Sequence, residues 1–182
     1  MISGQRLIVF TVLTTFTKKY MTLKLGLTIL LLVSSQFVFA MGDLRMAQGD
    51  SLSGKPAPDF TLMKTDGTKS TLNEARAGRK AVIFFWATWC PHCRTELQVL
   101  AGRVEELKSK NIEVILVDIG EDQSNVVSYL TAKKISLVSF LDTEEEVARQ
   151  YSLRGVPTLF FVGQDGIIKS VRHDLPAGVE GF

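Results

Sequence analysis

The chain contains two cysteines, spaced as Cys90-Pro91-His92-Cys93. A two-residue spacer lets their sulfurs close a ring across one helical turn, which suits reversible dithiol–disulfide chemistry. The surrounding residues point the same way. Lys80 to Trp86 includes the run Ala81-Val82-Ile83-Phe84-Phe85, too short for a helix and apolar on both faces, as in a central strand covered on both sides. After Cys90, the residues Leu97, Leu100, Val104 and Leu107 recur at helical spacing, predicting one long amphipathic helix. The pair therefore sits where a buried strand ends and a helix begins. There, unpaired N–H groups and the helix dipole favour the thiolate, which is the reactive form. Pro91 fits the first helical turn, where a missing N–H costs nothing. The expected roles are attack by Cys90 from the exposed helix end and resolution by Cys93, tucked beneath it.

Other uses of the pair fit less well. Structural zinc wants four ligands, and beyond these thiols the chain offers only His92 and His173. Haem attachment needs His directly after the second cysteine, where Arg94 stands. A purely structural disulfide closing so short a loop gains little entropy. His92, between the cysteines, is read as a group that favours a thiolate at Cys90, against the plainer reading of an exposed turn histidine. Glu96, one turn beyond Cys93, is a candidate proton shuttle for the resolving thiol or else a solvated helix carboxylate. Trp86 is expected in the core and Trp89 at the edge of the disulfide. Val156-Pro157-Thr158 opens a late strand, so Pro157 can lie against the disulfide. His173 is expected to be a surface residue.

The elements that must position these groups alternate as β-α-β-α. Asp59 to Met63 reads as a short strand, with Asp66-Gly67 as a hairpin turn. Glu113 to Ile119 is a second apolar run, Ser124 to Lys134 is helical, and Val138 to Leu141 leads into a short helix over Thr143 to Tyr151. Thr158 to Val162 and Ile167 to Val171 flank Gly163-Gln164-Asp165-Gly166 as two strands and a turn. The fold class is α/β, a central mixed sheet flanked by helices. Hydrophobic residues make up 46% and charged residues 22% of the 182, a globular composition. Four of the 21 basic residues lie in the first forty, which hold no Asp or Glu. Residues 41–182 thus carry 17 basic against 19 acidic groups, with no basic run longer than two, which excludes a nucleic-acid footprint.

Residues 1–40 read as a signal peptide or N-terminal membrane anchor. From Met21, taken as the true start, Lys24 precedes the apolar run Leu25 to Val33, and Val38-Phe39-Ala40 closes it. Neither Leu7 to Phe16 nor Leu25 to Ala40 reaches the roughly 20 residues of a membrane-spanning helix, so cleavage after Ala40 is preferred to a tether. Residues 41–54 read as a linker and 55–182 as the domain.

Trp86-Ala87-Thr88-Trp89-Cys90-Pro91-His92-Cys93, followed by Gly155-Val156-Pro157-Thr158, resembles the thioredoxin superfamily. Ala57-Pro58-Asp59-Phe60, the Asp66-Gly67 hairpin, Asp118 to Gly120, Leu141-Asp142 and Asp165-Gly166 narrow this to the exported TlpA/ResA branch, related to AhpC/TSA proteins, over about residues 55–175. The resemblance implies a thioredoxin fold with an N-terminal β-hairpin and a cis Pro157 facing the disulfide. It also implies an active-site role for Glu96, with Trp89, Pro91, Val156 and Pro157 contacting clients. Partners would be proteins bearing thiols or disulfides, often apocytochrome c, together with a membrane thiol donor or acceptor. No metal, nucleotide or other cofactor is implied. Three departures stand out. Phe84 replaces the buried Asp of general thioredoxins, Pro91-His92 resembles the dipeptide of DsbA-type oxidases, and the chain stops just past the last strand, where the family adds a helix. The expectation is therefore extracytoplasmic or periplasmic reduction of client disulfides. Oxidation and a non-catalytic client-binding module are the rivals. A peroxidase reading lacks its Thr-x-x-Cys spacing, since Thr88 is only two before Cys90.

Overall fold

The computed structural model describes residues 52–179. The leader expected at 1–40 and most of the linker expected at 41–54 lie outside the described residues. Among those described, no helix is long and apolar enough to cross a membrane.

The strand read as central is central. β3 (Lys80–Trp86) runs parallel to β4 (Ile112–Ile119) on one side and antiparallel to β6 (Thr158–Val162) on the other. Side chains alternate across a strand, so Val82, Phe84 and Trp86 fill one core layer while Ala81, Ile83 and Phe85 fill the other, all fully buried. β1 (Thr61–Lys64) and β2 (Lys69–Thr71) form the N-terminal hairpin, β5 (Ser139–Asp142) lies between β1 and β4, and β7 (Ile168–Arg172) forms an edge. The complete order is β2-β1-β5-β4-β3-β6-β7. Gly67 adopts φ +79 at the hairpin turn, which favours glycine, and Asp66 accepts hydrogen bonds from the Thr68 amide and hydroxyl.

One layer packs under α2 (Pro91–Gly102), with Cys93, Leu97 and Leu100 buried, and α4 (Gln123–Ala132), with Val126 and Leu130 buried. The other packs under α1 (Leu72–Arg76), which the sequence reading did not separate from the hairpin, and α5 (Glu146–Gln150). At its centre the Tyr151 ring lies 4.9 Å from both Phe85, tilted against it, and Phe160, edge to face, and its hydroxyl donates to the Pro58 carbonyl at 2.8 Å.

Two expectations are corrected. The long helix is two, because the chain leaves helical geometry at Arg103 (φ −107, ψ 3) after the poor helix former Gly102 and resumes as α3 (Val104–Ser109). The stretch read as linker is bound at its end, since Gly54 donates to the Ile168 carbonyl at 2.8 Å and Ile168 donates back to the Lys55 carbonyl at 2.9 Å, covering part of the β7 edge. After β7, no helix follows among the described residues, yet the core there is not bare. Residues 173–179 bring Leu175 and Val179 into the layer that holds Cys93.

Replacing Phe85 with Ala empties the centre of the aromatic layer and is expected to cost about 3–5 kcal/mol in urea unfolding. Val138→Ala, at a position 43% exposed, is expected to stay within about 0.5 kcal/mol of the parent.

Candidate redox site

β3 delivers the chain through buried Ala87 to a turn closed by the Cys90 amide donating to the Ala87 carbonyl at 3.3 Å. Cys90 is then the N-cap of α2, in extended geometry (φ −87, ψ 112), with Pro91 in the first turn. Its Sγ accepts the Cys93 amide N–H at 3.1 Å, the position a capping oxygen occupies in other helices. The two sulfurs are joined as a disulfide with Cα atoms 5.2 Å apart. No acidic residue occupies the first turn of α2, so nothing there opposes negative charge on sulfur once the bond is reduced.

The expected exposure of Cys90 is not what the structure shows. In the disulfide form Cys90 is 4% exposed and Cys93 is fully buried. The reason is the loop before β6, where the Val156–Pro157 bond is cis and the Val156 carbonyl oxygen sits 3.7 Å from Cys90 Sγ. Trp89, by contrast, is 63% exposed beside the motif. Pro91 and His92 are exposed on the first turn, Val156 and Pro157 are half-buried, and Trp86 is in the core, where its indole donates to Ser139 Oγ at 3.1 Å. Among the described residues no group of three His, Cys, Asp or Glu could hold a metal ion.

Glu96 is engaged elsewhere than expected. It lies half-buried on α2, and its Oε2 accepts the backbone N–H of Leu175 at 3.0 Å. Arg103 at the end of the same helix donates to the carbonyls of Pro176 and Ala177 at 2.7 and 2.9 Å. The segment after β7 is thus tied to the redox helix through Leu175, Pro176 and Ala177.

Asp118, which in the sequence carries only a family resemblance, belongs to the surroundings of the site. It stands on β4 opposite Trp86, fully buried, with Glu121 beside it. Burial pushes its carboxyl up to about 8, and the negative charge of Glu121 beside it adds to the rise. Glu121 in turn grips the turn before the motif, accepting the Thr88 amide through Oε2 and the Thr88 hydroxyl through Oε1, both at 2.6 Å. With Phe84 in place of the usual buried Asp on β3, a buried acid is still present, one strand over. The sequence signal was an acid inside the apolar run 112–119.

Asp118 makes stability depend on pH in a defined direction. The unfolded chain releases this proton near the ordinary value of 3.8 and the folded chain near 8, so stability falls as pH rises across that interval. Asp118→Asn removes the dependence. Its gain in unfolding free energy over the parent is expected to be larger at pH 7.5 than at pH 5, by about 2 kcal/mol after allowing for relaxation around the buried charge. Urea melts of both proteins at the two pH values measure it.

Comparison with known proteins agrees with this geometry. The AhpC/TSA family matches residues 53–171. The thiol-disulfide oxidoreductase ResA of Bacillus subtilis is 28% identical over 155 residues, covering 85% of this chain and 86% of that protein. Two solved structures share the fold. A thiol:disulfide interchange protein assigned as DsbE from Chlorobium tepidum superposes with a TM-score of 0.62 at 23% identity, over 69% of this chain and 87% of that one. StoA from Bacillus subtilis gives 0.57 at 22% identity, over 66% and 92%. With its thioredoxin-type sheet and a disulfide capping the first helix after the central strand, the chain belongs to the AhpC/TSA family, as a thioredoxin-like thiol–disulfide oxidoreductase of the TlpA/ResA kind.

Proposed function

We propose that this protein reduces disulfides of client proteins in an extracytoplasmic, periplasmic setting, with residues 1–40 serving as its export signal or tether. Among its clients would be apocytochrome c, and a membrane thiol donor would recharge it. The observation that carries the reading is the placement of the Cys90–Cys93 bond at the N-cap of α2, with the Cys93 amide aimed at Cys90 Sγ and the Val156 carbonyl beside it.

In the reduced enzyme, that amide and the helix N-terminus stabilise the Cys90 thiolate. Cys90 attacks one sulfur of the client disulfide. The client S–S bond breaks, a mixed disulfide forms, and the departing client sulfur leaves as a thiolate that takes a proton. Cys93 then loses its proton and attacks Cys90 Sγ, releasing the second client thiolate. Two electrons have passed from the dithiol to the client, and the Cys90–Cys93 bond is remade. In this proposal Glu96, one turn beyond Cys93, receives the Cys93 proton, and His92 favours the Cys90 thiolate. Trp89 and Pro91 present an exposed surface on the client side, and Val156 and Pro157 close the other wall.

The Pro91-His92 dipeptide favours a second reading, a DsbA-like oxidase running the same exchange in reverse. A His between the cysteines stabilises the reduced form and raises the potential.

Exchange through Cys90 is separable from mere client binding. Cys93→Ser is expected to accumulate client-sized adducts on non-reducing gels that dithiothreitol releases, while Cys90→Ser is expected to reduce insulin at least about a hundredfold more slowly than the parent, consistent with loss of the nucleophile. Insulin reduction by the parent no faster than by Cys90→Ser, both at the uncatalysed dithiothreitol rate, would leave only a binding module with an incidental disulfide.

A further inference from the structure

His173 was expected to be a surface residue, and it is exposed, but its ring is not idle. β7 pairs antiparallel with β6, with Arg172 opposite Leu159, so the residue after Arg172 arrives beside the start of β6. There His173 Nδ1 lies 2.8 Å from the Pro157 carbonyl oxygen and 3.5 Å from Thr158 Oγ1. A carbonyl oxygen only accepts, so Nδ1 must carry the proton, and on the neutral ring Nε2 is left as the bare nitrogen. The Thr158 hydroxyl is itself committed, donating to the Gly155 carbonyl at 2.8 Å.

The three carbonyls of the loop therefore have three different fates. That of Gly155 is held by Thr158, that of Pro157 is held by His173, and that of Val156, between them, is the one facing Cys90 Sγ at 3.7 Å. Pro157 has no N–H and cannot anchor the loop as a donor. The side-chain bonds thus hold the carbonyls on either side of Val156, whose own carbonyl lies next to the disulfide.

We propose that His173 is a positioning residue for the client-binding loop. Its Nδ1–H holds the Pro157 carbonyl so that the Val156 peptide presents a fixed edge to a client chain docking beside Cys90. The inference rests on the exchange reading above and specifies how that site orders the client backbone. The ring of His173 hydrogen-bonds to Pro157 and Thr158 and not to either cysteine. The effect should thus appear in docking of an extended peptide and not in the intrinsic reactivity of Cys90.

Four proteins in full chain form test this: the parent, His173→Ala, His173→Asn and Cys90→Ser. Asn keeps an N–H near the place of Nδ1, whereas Ala does not. With a disulfide-bonded peptide as substrate, His173→Ala is expected to raise KM about tenfold, the factor associated with one neutral hydrogen bond, at unchanged kcat. His173→Asn is expected to recover most of that loss. Reaction of reduced Cys90 with a small aromatic disulfide, which needs no backbone docking, is expected to be the same in the parent and both His173 variants. A KM unchanged in His173→Ala, or no recovery in His173→Asn, overturns the assignment. So does a 15N spectrum of the parent showing the neutral His173 ring protonated on Nε2, and that readout needs no activity. If instead the parent reduces the peptide no faster than Cys90→Ser while the spectrum shows Nδ1–H, the exchange reading has failed and the hydrogen bond stands.

Discussion

The amide of Cys93 pointing at the sulfur of Cys90 is the contact on which the site depends. A cysteine as N-cap of a helix is unusual chemistry for a cap, because sulfur is a poor acceptor as a thiol and a good one as a thiolate. The contact therefore discriminates between protonation states. It exists only because a strand buried from Ala81 to Trp86 ends one short turn before a helix whose first turn contains proline and no acid. The strand is fixed by packing on both faces, so the helix start has little freedom to move, and the sulfur inherits that rigidity.

Around this contact the structure places polar devices that act on backbone rather than on sulfur. Glu121 holds the amide and hydroxyl of Thr88 on one side of the motif, and His173 and Thr158 hold carbonyls of the facing loop on the other. Glu96 and Arg103 bind the segment after β7 onto α2, and Leu175 and Val179 close the layer over Cys93. The redox pair thus lies between two clamped loops and beneath a sequestered apolar layer, with Trp89 as the large exposed apolar group beside it. Asp118 is the cost of this arrangement. A fully buried carboxyl beside Glu121 is retained where an apolar side chain would be more stable.

Most of the frame was legible from the residues. The unbroken apolar run Ala81 to Phe85, the Asp66-Gly67 turn and the strand pair around Gly163 to Gly166 are local signals, and the structure follows them. The motif and the late Val156-Pro157 could be named from sequence because types and spacing carry the chemistry. What could not be read were the partners brought together by topology. Asp118 shows only as an acid within an apolar run, with no sign that Glu121 will lie beside it, nothing in His173 says that it will meet Pro157, and Glu96 gives no sign of Leu175, 79 positions away. The exposure of Cys90 was misjudged for the same reason, since the wall that covers it comes from a loop 66 residues later. The break at Gly102-Arg103 was hidden because the apolar stripe continues in phase across it.

The central claim is the direction of electron flow, and the reduction potential of the Cys90–Cys93 couple tests it most directly. Equilibration with glutathione buffers at pH 7, with the fraction of disulfide read after acid quench and thiol alkylation, gives the value. A client reductase has a potential near that of thioredoxin, about −270 mV, and a value near that of DsbA, about −120 mV, would contradict that direction and make the protein an oxidase.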